Sequence, residues 1–276
     1  MADPVIPRYD AVDVLNPSVV KVDGGYDNFF SQYNGKEWVT RRAHSHDGVN
    51  WMIDSHFDWV AAEGGIAANG SVALDRSGFI EYWYQVGSPA RIALWTRAGS
   101  RGVVLTAGAP GSFDETAVAD PDVIPVGNYF YLYYLGQDKA RRQRLGVARS
   151  RDGLRWEKLR SNPILELGAA GAFDENGLGE PAVWSSGGSY WMLYTGRDRG
   201  ERRRIGLAKS ADGVHWSREA DFKPISGDQP WNSAVMCDPS VLVEGNEVRV
   251  WFGGGDVPSP DQNLHGQIGL GFLRPR

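Results

Sequence analysis

The sequence predicts an all-β chain: a five-bladed β-propeller of four-stranded antiparallel blades, with its ring closed by an N-terminal strand. Three observations carry this. First, one phrase recurs, an aromatic residue followed by Asp or Asn, five further residues, and a polar residue that opens a strand. It reads YDAVDVLNP (9–17), FDETAVADP (113–121), FDENGLGEP (173–181) and WNSAVMCDP (231–239), with a looser copy from Phe57-Asp58 to Asn69-Gly70. Five copies about 50–60 residues apart mean five similar modules. Second, the runs between these phrases are short and β-branched or aromatic, and Gly or Pro interrupts them before any helical period develops. Third, the last module lacks an outer strand near Arg276, and DPVI (3–6) resembles NPIL (162–165) and KPI (223–225), which follow the tryptophan strand in modules three and four. An N-terminal strand in that place removes an open edge. The whole chain, 1–276, then forms one domain.

Within each module the first strand follows the polar residue: PSVVKV (17–22), SVAL (71–74), PDVIPV (121–126), PAVW (181–184) and PSVLV (239–243). Pro is tolerated at the start of a strand, where no ladder N–H is needed, and it is expected to push the residue before it into an extended conformation. An aromatic second strand comes next: FIEYWYQV (79–86), YFYLYYLG (129–136), YWMLYTG (190–196) and VRVWFGG (248–254). Third strands are read at RLGVARS (144–150), RIGLAKS (204–210) and QIGLGFL (267–273). SHDGVNW (45–51), SRDGLRW (150–156) and SADGVHW (210–216) then supply Asp-Gly hairpin turns leading to a tryptophan. Asp47, Asp152 and Asp212 are expected to bond their own turns.

Composition narrows the function. The chain has 276 residues, a net charge of −5 and a single cysteine, Cys237. The acidic balance gives no reason to expect nucleic acid. No run of 18 apolar residues is present, so no membrane span is expected. The opening MADPVIPRYD has no basic segment followed by an apolar one, and one cysteine forms no intrachain disulfide. Both point to the cytoplasm. No Gly-rich phosphate loop or nucleophile elbow occurs, and no cofactor is implied.

In a radial arrangement the first strand of each module lies nearest the axis. Asn16, Asn69, Asp120, Glu180 and Asp238 then form a ring at the mouth of a central cavity. Carboxylates gathered in one hollow cannot all ionise freely, so at least one pKa is expected to rise, an arrangement suited to acid catalysis. The acidity of the ring residue varies from module to module, which favours chemistry at Asp120, Glu180 and Asp238 over a purely structural part. Asp10, Asp58, Asp114 and Asp174 are expected to make local loop bonds instead. The turns GQDKARRQR (136–144) and GRDRGERRR (196–204) fall on the mouth side, with Arg141, Arg142, Arg144, Arg202, Arg203 and Arg204 either rimming the cavity for an anionic group or forming solvated tips. Arg142 and Arg203 are the candidates for substrate contact. Trp59 and Trp231 either pack between blades or stack on a sugar face. His265 is a candidate pocket residue, whereas His44 and His46 lack companions at metal-binding spacing.

These phrases, D-P-S-V, the aromatic strand, I-G-x-A-x-S-x-D-G-x-x-W and F-D, resemble the five-bladed propellers of the glycoside hydrolase family 43, 32 and 68 superfamily and the related family 130. The resemblance covers essentially the whole chain. It implies that Asp120 orients and tunes while Glu180 is the general acid. The first-blade aspartate that acts as general base in that pattern is replaced here by Asn16, which cannot accept a proton. Asn-Pro at this point is similar to family 130, whose members cleave mannosides, often with phosphate as nucleophile. Three functions remain open on the sequence. One is a glycoside hydrolase or phosphorylase acting on a small sugar or glycoside, with Asp238 as substitute base or substrate ligand. The second is a carbohydrate-binding propeller without catalysis. The third is an intracellular biosynthetic enzyme performing acid–base chemistry on a non-sugar metabolite.

Overall fold

A computed structural model describes residues 2–273 except 58, 61 and 76, so the expectation for Asp58 lies outside the described residues. The fold is all-β, and the described residues contain a single 3₁₀ turn, Pro230–Asn232, and no α-helix. Among the described residues no helix is long and apolar enough to cross a membrane.

The strands form antiparallel meanders in chain order. Sheet 1 contains β1 (Asp13–Val22), β2 (Gly25–Tyr33), β3 (Trp38–Ser45) and β4 (Met52–Ile53). Sheet 2 contains β5 (Ala67–Leu74), β6 (Ile80–Val86), β7 (Arg91–Thr96) and β8 (Gly99–Leu105). Sheet 3 contains β9 (Ala117–Val126), β10 (Tyr129–Gln137), β11 (Gln143–Ser150) and β12 (Glu157–Lys158). Sheet 4 contains β13 (Gly177–Ser186), β14 (Ser189–Arg197), β15 (Arg203–Ser210) and β16 (Trp216–Arg218). Sheet 5 contains β17 (Val235–Glu244), β18 (Glu247–Gly255) and β19 (Gln267–Leu273), and a single parallel bridge, Arg203 to Val235, joins it to sheet 4. The N-terminal segment bridges β19 at Ile6 and Ile268, as Leu165 bridges Leu145 and Ile225 bridges Ile205.

The first strands lie side by side: β1 on β5, β5 on β9, β9 on β13, β13 on β17, and β17 on β1. Each bulges at its polar residue, where the register with the second strand slips between Leu15 and Ser18, Ala68 and Ser71, Ala119 and Asp122, Gly179 and Ala182, and Cys237 and Ser240. At the bulge Asn16, Asn69, Asp120, Glu180 and Asp238 are left-handed, with φ between 47° and 52°. The proline rule therefore fails: the residue expected to be extended is left-handed, because the bulge must turn its side chain toward the axis.

Two residues beyond each bulge, a side chain reaches the next sheet. Ser18 Oγ accepts the N–H of Val72 at 2.9 Å, Ser71 Oγ that of Val123 at 3.0 Å, Asp122 Oδ2 that of Val183 at 2.8 Å, and Ser240 Oγ that of Val19 at 2.9 Å. Ala182, in the corresponding place of sheet 4, has no acceptor to offer. Apolar wedges fill the space between neighbouring sheets, with Trp251, Phe30, Ile6 and Ile268 in one and Tyr133, Val147, Leu178 and Met192 in another.

The Asp-Gly turns lock these wedges from outside. Asp47, Asp152 and Asp212 each accept two N–H groups of their own turn. The carbonyls of Gly48, Gly153 and Gly213 receive Trp251 Nε1, Trp83 Nε1 and the Tyr133 hydroxyl from the preceding sheet, at 2.8, 3.1 and 2.9 Å. These glycines have φ of 71–78°, and a Cβ on any of them would meet the donor ring or hydroxyl at 2.8–3.1 Å. Asp114 and Asp174 are structural as expected, though through side chains: each holds a buried tyrosine, Tyr134 or Tyr194, and a cation on the outer strand, Lys158 or Arg218.

Replacing Ser240 by Ala strands the buried Val19 N–H between sheets 5 and 1. The expected loss is about 1–3 kcal/mol of stability, read as a lower denaturation midpoint at unchanged slope.

Candidate functional site

The five bulges bring Asn16, Asn69, Asp120, Glu180 and Asp238 onto one wall, shared by a mouth-side cavity of about 430 Å³ and a channel of about 170 Å³ beneath it. The mouth is polar, with Gln85, Gln137, Arg141, Arg197 and Trp38 around it. The channel is lined by the same five residues, by the hydroxyls of Ser18, Ser71 and Ser240, by Asp122, and by prolines and aliphatic side chains of the first strands.

The ring residues are not equivalent. Asp120 Oδ1 accepts Asn69 Nδ2 at 2.9 Å, and its carboxylate also faces the backbone N–H of Glu180. Asp238 Oδ2 accepts the backbone N–H of Asn16 and the Cys237 thiol, both at 3.1 Å. In both cases the carboxylate of one sheet secures the left-handed residue of the next. At two of the other three seams, sheets 1–2 and 4–5, a hydroxyl on the second strand does this work: Ser31 Oγ accepts from Asn69 N at 2.8 Å and Thr195 Oγ1 from Asp238 N at 3.1 Å. Asn16 and Glu180 are thereby released. Glu180 Oε2 is buried without a hydrogen-bond partner, and a buried carboxyl oxygen left empty is costly unless a ligand or water completes it.

Burial first, and the Glu180 charge second, push Asp120 up to about 7 and hold Asp238 well above the usual carboxylate range. The expected rise thus falls on the two aspartates that flank Glu180. Arg203 is 9% exposed, and burial opposes its charge. Cys237, Glu180 and Asp238 outweigh that opposition and hold the guanidinium above its ordinary range. Its Nη2 donates to the carbonyls of Ser259 and Pro260 at 3.2 and 2.6 Å. The glycines at the wall are small for a reason: a Cβ on Gly253 would sit 2.5 Å from Asp238 Oδ2 and one on Gly179 3.1 Å from Asp120 Oδ2.

Other expected site residues lie elsewhere. Arg142 is outside the cavity, its Nε 2.8 Å from Asp138 Oδ2, where Arg144 also binds at 2.7 Å. Arg202 and Arg204 are likewise absent from the wall, because side chains alternate along β15 and its approach and only Arg203 points inward. Trp59 stacks on Trp95 at 4.2 Å between sheets, and Trp231 stacks on Phe252 while its Nε1 donates to the Ala2 carbonyl at 2.9 Å. Both are packing residues. His265 pairs with Asp256 at 2.8 Å on the outside of its hairpin. His44 lies 2.9 Å from Asp27, and among the described residues no group of three or more His, Cys, Asp or Glu is arranged to hold a metal ion. Gln85, Gln137 and Arg197, unforeseen from the sequence, lie at or beside the ends of the second strands at the mouth; Gln137 and Arg197 share one register position, opposite Ala117 and Gly177, a repeat that would have marked them.

A family model, the N-terminal domain of glycosyl hydrolases family 32, matches residues 99–242. Two Mycobacterium tuberculosis proteins described as uncharacterized, from strains CDC 1551 and H37Rv, are each 32% identical over 159 residues, 54% of this chain and 52% of theirs. The chain therefore spans about half the length of the curated relatives it matches. Among solved structures, a thermostable family-43 glycoside hydrolase superposes with a TM-score of 0.74 at 15% identity, covering 95% of this chain and 90% of its own. The β-1,2-mannobiose phosphorylase of Listeria innocua gives 0.76 at 13%, covering 99% and 95%. The α-L-arabinofuranosidase of Podospora anserina gives 0.71 at 14%, covering 99% and 96%. At such identities these are likenesses of fold.

Asp122, in the channel, is pushed up to about 7, chiefly by burial. A carboxyl with a raised native pKa binds its proton more tightly folded than unfolded, so stability falls as pH rises from about 4 through about 7. Asp122→Asn keeps an oxygen for the Val183 N–H and removes this linkage. The variant should melt above wild type at pH 8, by at most about 4 kcal/mol, with the gap closing toward pH 4.

Proposed function

The chain belongs to the glycosyl hydrolase family 32 N-terminal domain family, within the propeller superfamily of glycoside hydrolases, and on that footing we propose that it cleaves a small carbohydrate or glycoside by carboxylate acid–base catalysis in the axial cavity. The proposed architecture is a single five-bladed propeller over residues 1–276, its ring closed by the N-terminal segment on β19. The observation that carries the functional reading is the released Glu180 carboxyl, which shares a cavity with two engaged aspartates and a buried arginine.

In this reading Glu180 gives its proton to the leaving oxygen. Asp120 and Asp238 flank it, and Arg203 supplies a fixed positive charge that steadies the glutamate once the proton has gone. Asp120 orients the donor while holding the Glu180 backbone, and the side-chain amides of Asn16 and Asn69 bind sugar hydroxyls. Gln85, Gln137 and Trp38 extend the sugar site at the mouth. A cytoplasmic location, which keeps Cys237 a thiol, completes the proposal.

One observation favours a phosphorolytic variant. Asn16 cannot act as a base, while Arg141 and Arg197 stand at the mouth, where an anionic nucleophile would enter. Phosphate attacks as an anion and needs no proton removed.

Aryl glycosides and disaccharides, assayed with and without phosphate, test both forms. Glu180→Gln should lower kcat on unactivated substrates by about 10²–10⁴-fold with little change in melting temperature. Turnover that requires phosphate identifies the phosphorolytic form, and unchanged turnover in Glu180→Gln removes the acid from this position.

A further inference from the structure

The hairpins that follow the second strands of sheets 3 and 4 are built alike, and residues 136–144 and 196–204 align one to one. In each, an aspartate side chain, Asp138 or Asp198, accepts the N–H of Arg142 or Arg202 at 3.0 Å. Arg141 and Glu201, one residue earlier, are both left-handed at φ 61° and donate their N–H to the carbonyl of the same aspartate, at 2.9 and 3.0 Å. Their side chains therefore leave the same backbone in the same direction, but they carry opposite charge.

In sheet 4 that charge is used within the hairpin. Glu201 Oε2 lies 3.2 Å from Arg197 Nη1, so a side chain at this position reaches back to the end of the second strand. In sheet 3 the corresponding strand end is Gln137, which is neutral. Among the described residues neither the Arg141 guanidinium nor the Gln137 side-chain amide has a partner, and both line the mouth cavity. The other basic residues of this hairpin are all matched: Lys139 to Glu115 at 3.4 Å, Arg142 to Asp138 at 2.8 Å and Arg144 to Asp138 at 2.7 Å. Elsewhere on the mouth Arg203 faces Glu180 and Asp238, and Arg197 has Glu201. Asp261, also unpaired, belongs to the hairpin of sheet 5, with sheet 4 between it and Arg141. The group that would complete Arg141 is thus a single negative charge. A carboxylate meets a guanidinium through two parallel N–H bonds, and a neighbouring amide adds another. A phosphate dianion calls for a second unmatched cation, which the mouth does not offer among the described residues.

We propose that Arg141 and Gln137 form a carboxylate-binding subsite at the mouth, so that the carbohydrate taken by the axial cavity is an acidic one, a uronic acid or a sugar bearing an equivalent carboxyl group. This rests on the carbohydrate reading of the cavity and not on Glu180 as its acid. It assigns the unmatched charge of Arg141 to the substrate rather than to a free phosphate nucleophile.

Free monosaccharides have no glycosidic bond to cleave, so binding is read in the wild-type protein apart from turnover. Titration calorimetry compares glucuronate, galacturonate and mannuronate with their methyl esters, with the parent neutral sugars, with glucose 6-phosphate and with inorganic phosphate. The proteins are wild type, Arg141→Gln, Arg141→Glu and Lys139→Ala. Glu already occupies the equivalent left-handed position of sheet 4, so Arg141→Glu should melt with wild type. At least one uronate should bind wild type about tenfold more tightly than its own methyl ester. Arg141→Gln should bring the two within about twofold, and Arg141→Glu should favour the ester. Lys139→Ala, which removes a charge from the same hairpin outside the cavity, should keep the preference. Equal binding of uronate and ester in wild type overturns the subsite, as does a preference that survives Arg141→Gln or vanishes in Lys139→Ala. Glucose 6-phosphate or inorganic phosphate binding more tightly than every uronate overturns the carboxylate assignment. Neutral sugars bound without any uronate preference sink the subsite alone, whereas a wild type that binds no sugar of the panel sinks the carbohydrate reading and the subsite with it.

Discussion

The left-handed bulge at the head of each first strand is the constraint on which the molecule depends. A non-glycine residue in that conformation is disfavoured by about 1–2 kcal/mol, and here five occur at equivalent places, one of them a glutamate. Four of them are held from the preceding sheet, where a carboxylate or hydroxyl takes the N–H of Asn16, Asn69, Glu180 or Asp238. The same bonds that tolerate the strain also align neighbouring sheets, so packing of the wedges and aim of the site are one event. Strain of this kind concentrates where side chains must be presented to a ligand.

This dual use sorts the ring chemically. A carboxylate that braces a neighbour is hard to free for proton transfer, and a residue whose bracing duty is taken by a hydroxyl is available. Thr195 is therefore as informative as any acid in the cavity: by accepting from Asp238 N it leaves Glu180 unengaged. Burying Asp120, Asp122 and Asp238 opposes their ionisation, and the fold accepts that penalty on the axis while its outer wedges supply apolar packing.

Much of the architecture was legible because it repeats. The Asp-Gly turns, the aromatic second strands and the polar residue before each first strand recur, and repetition converts a weak local signal into a firm one. Sheet 2 shows the limit: it lacks the Asp-Gly-Trp phrase, and β7 and β8 were not separable in its sequence. The left-handed bulge was missed because the rule for a residue before proline speaks of local sterics, whereas here a bond from another sheet decides. Trp59 and Trp231 offered two readings that only packing separates, and Arg142 was misplaced because a run of arginines conceals which one alternates inward.

The seam between sheets 4 and 5 is built unlike those flanking it. Ala182 removes the side-chain acceptor found at the corresponding position of the other sheets, which leaves this seam to main-chain pairing, with Arg203 N bonded to the Ala234 carbonyl at 3.2 Å beside the bridge from β15 to β17. A hydroxyl can swing away by a single rotamer change, but a peptide group cannot leave without its strand. Glu180 and Asp238 therefore ride on one seven-stranded sheet, joined by a main-chain bond rather than by a side chain that can turn away.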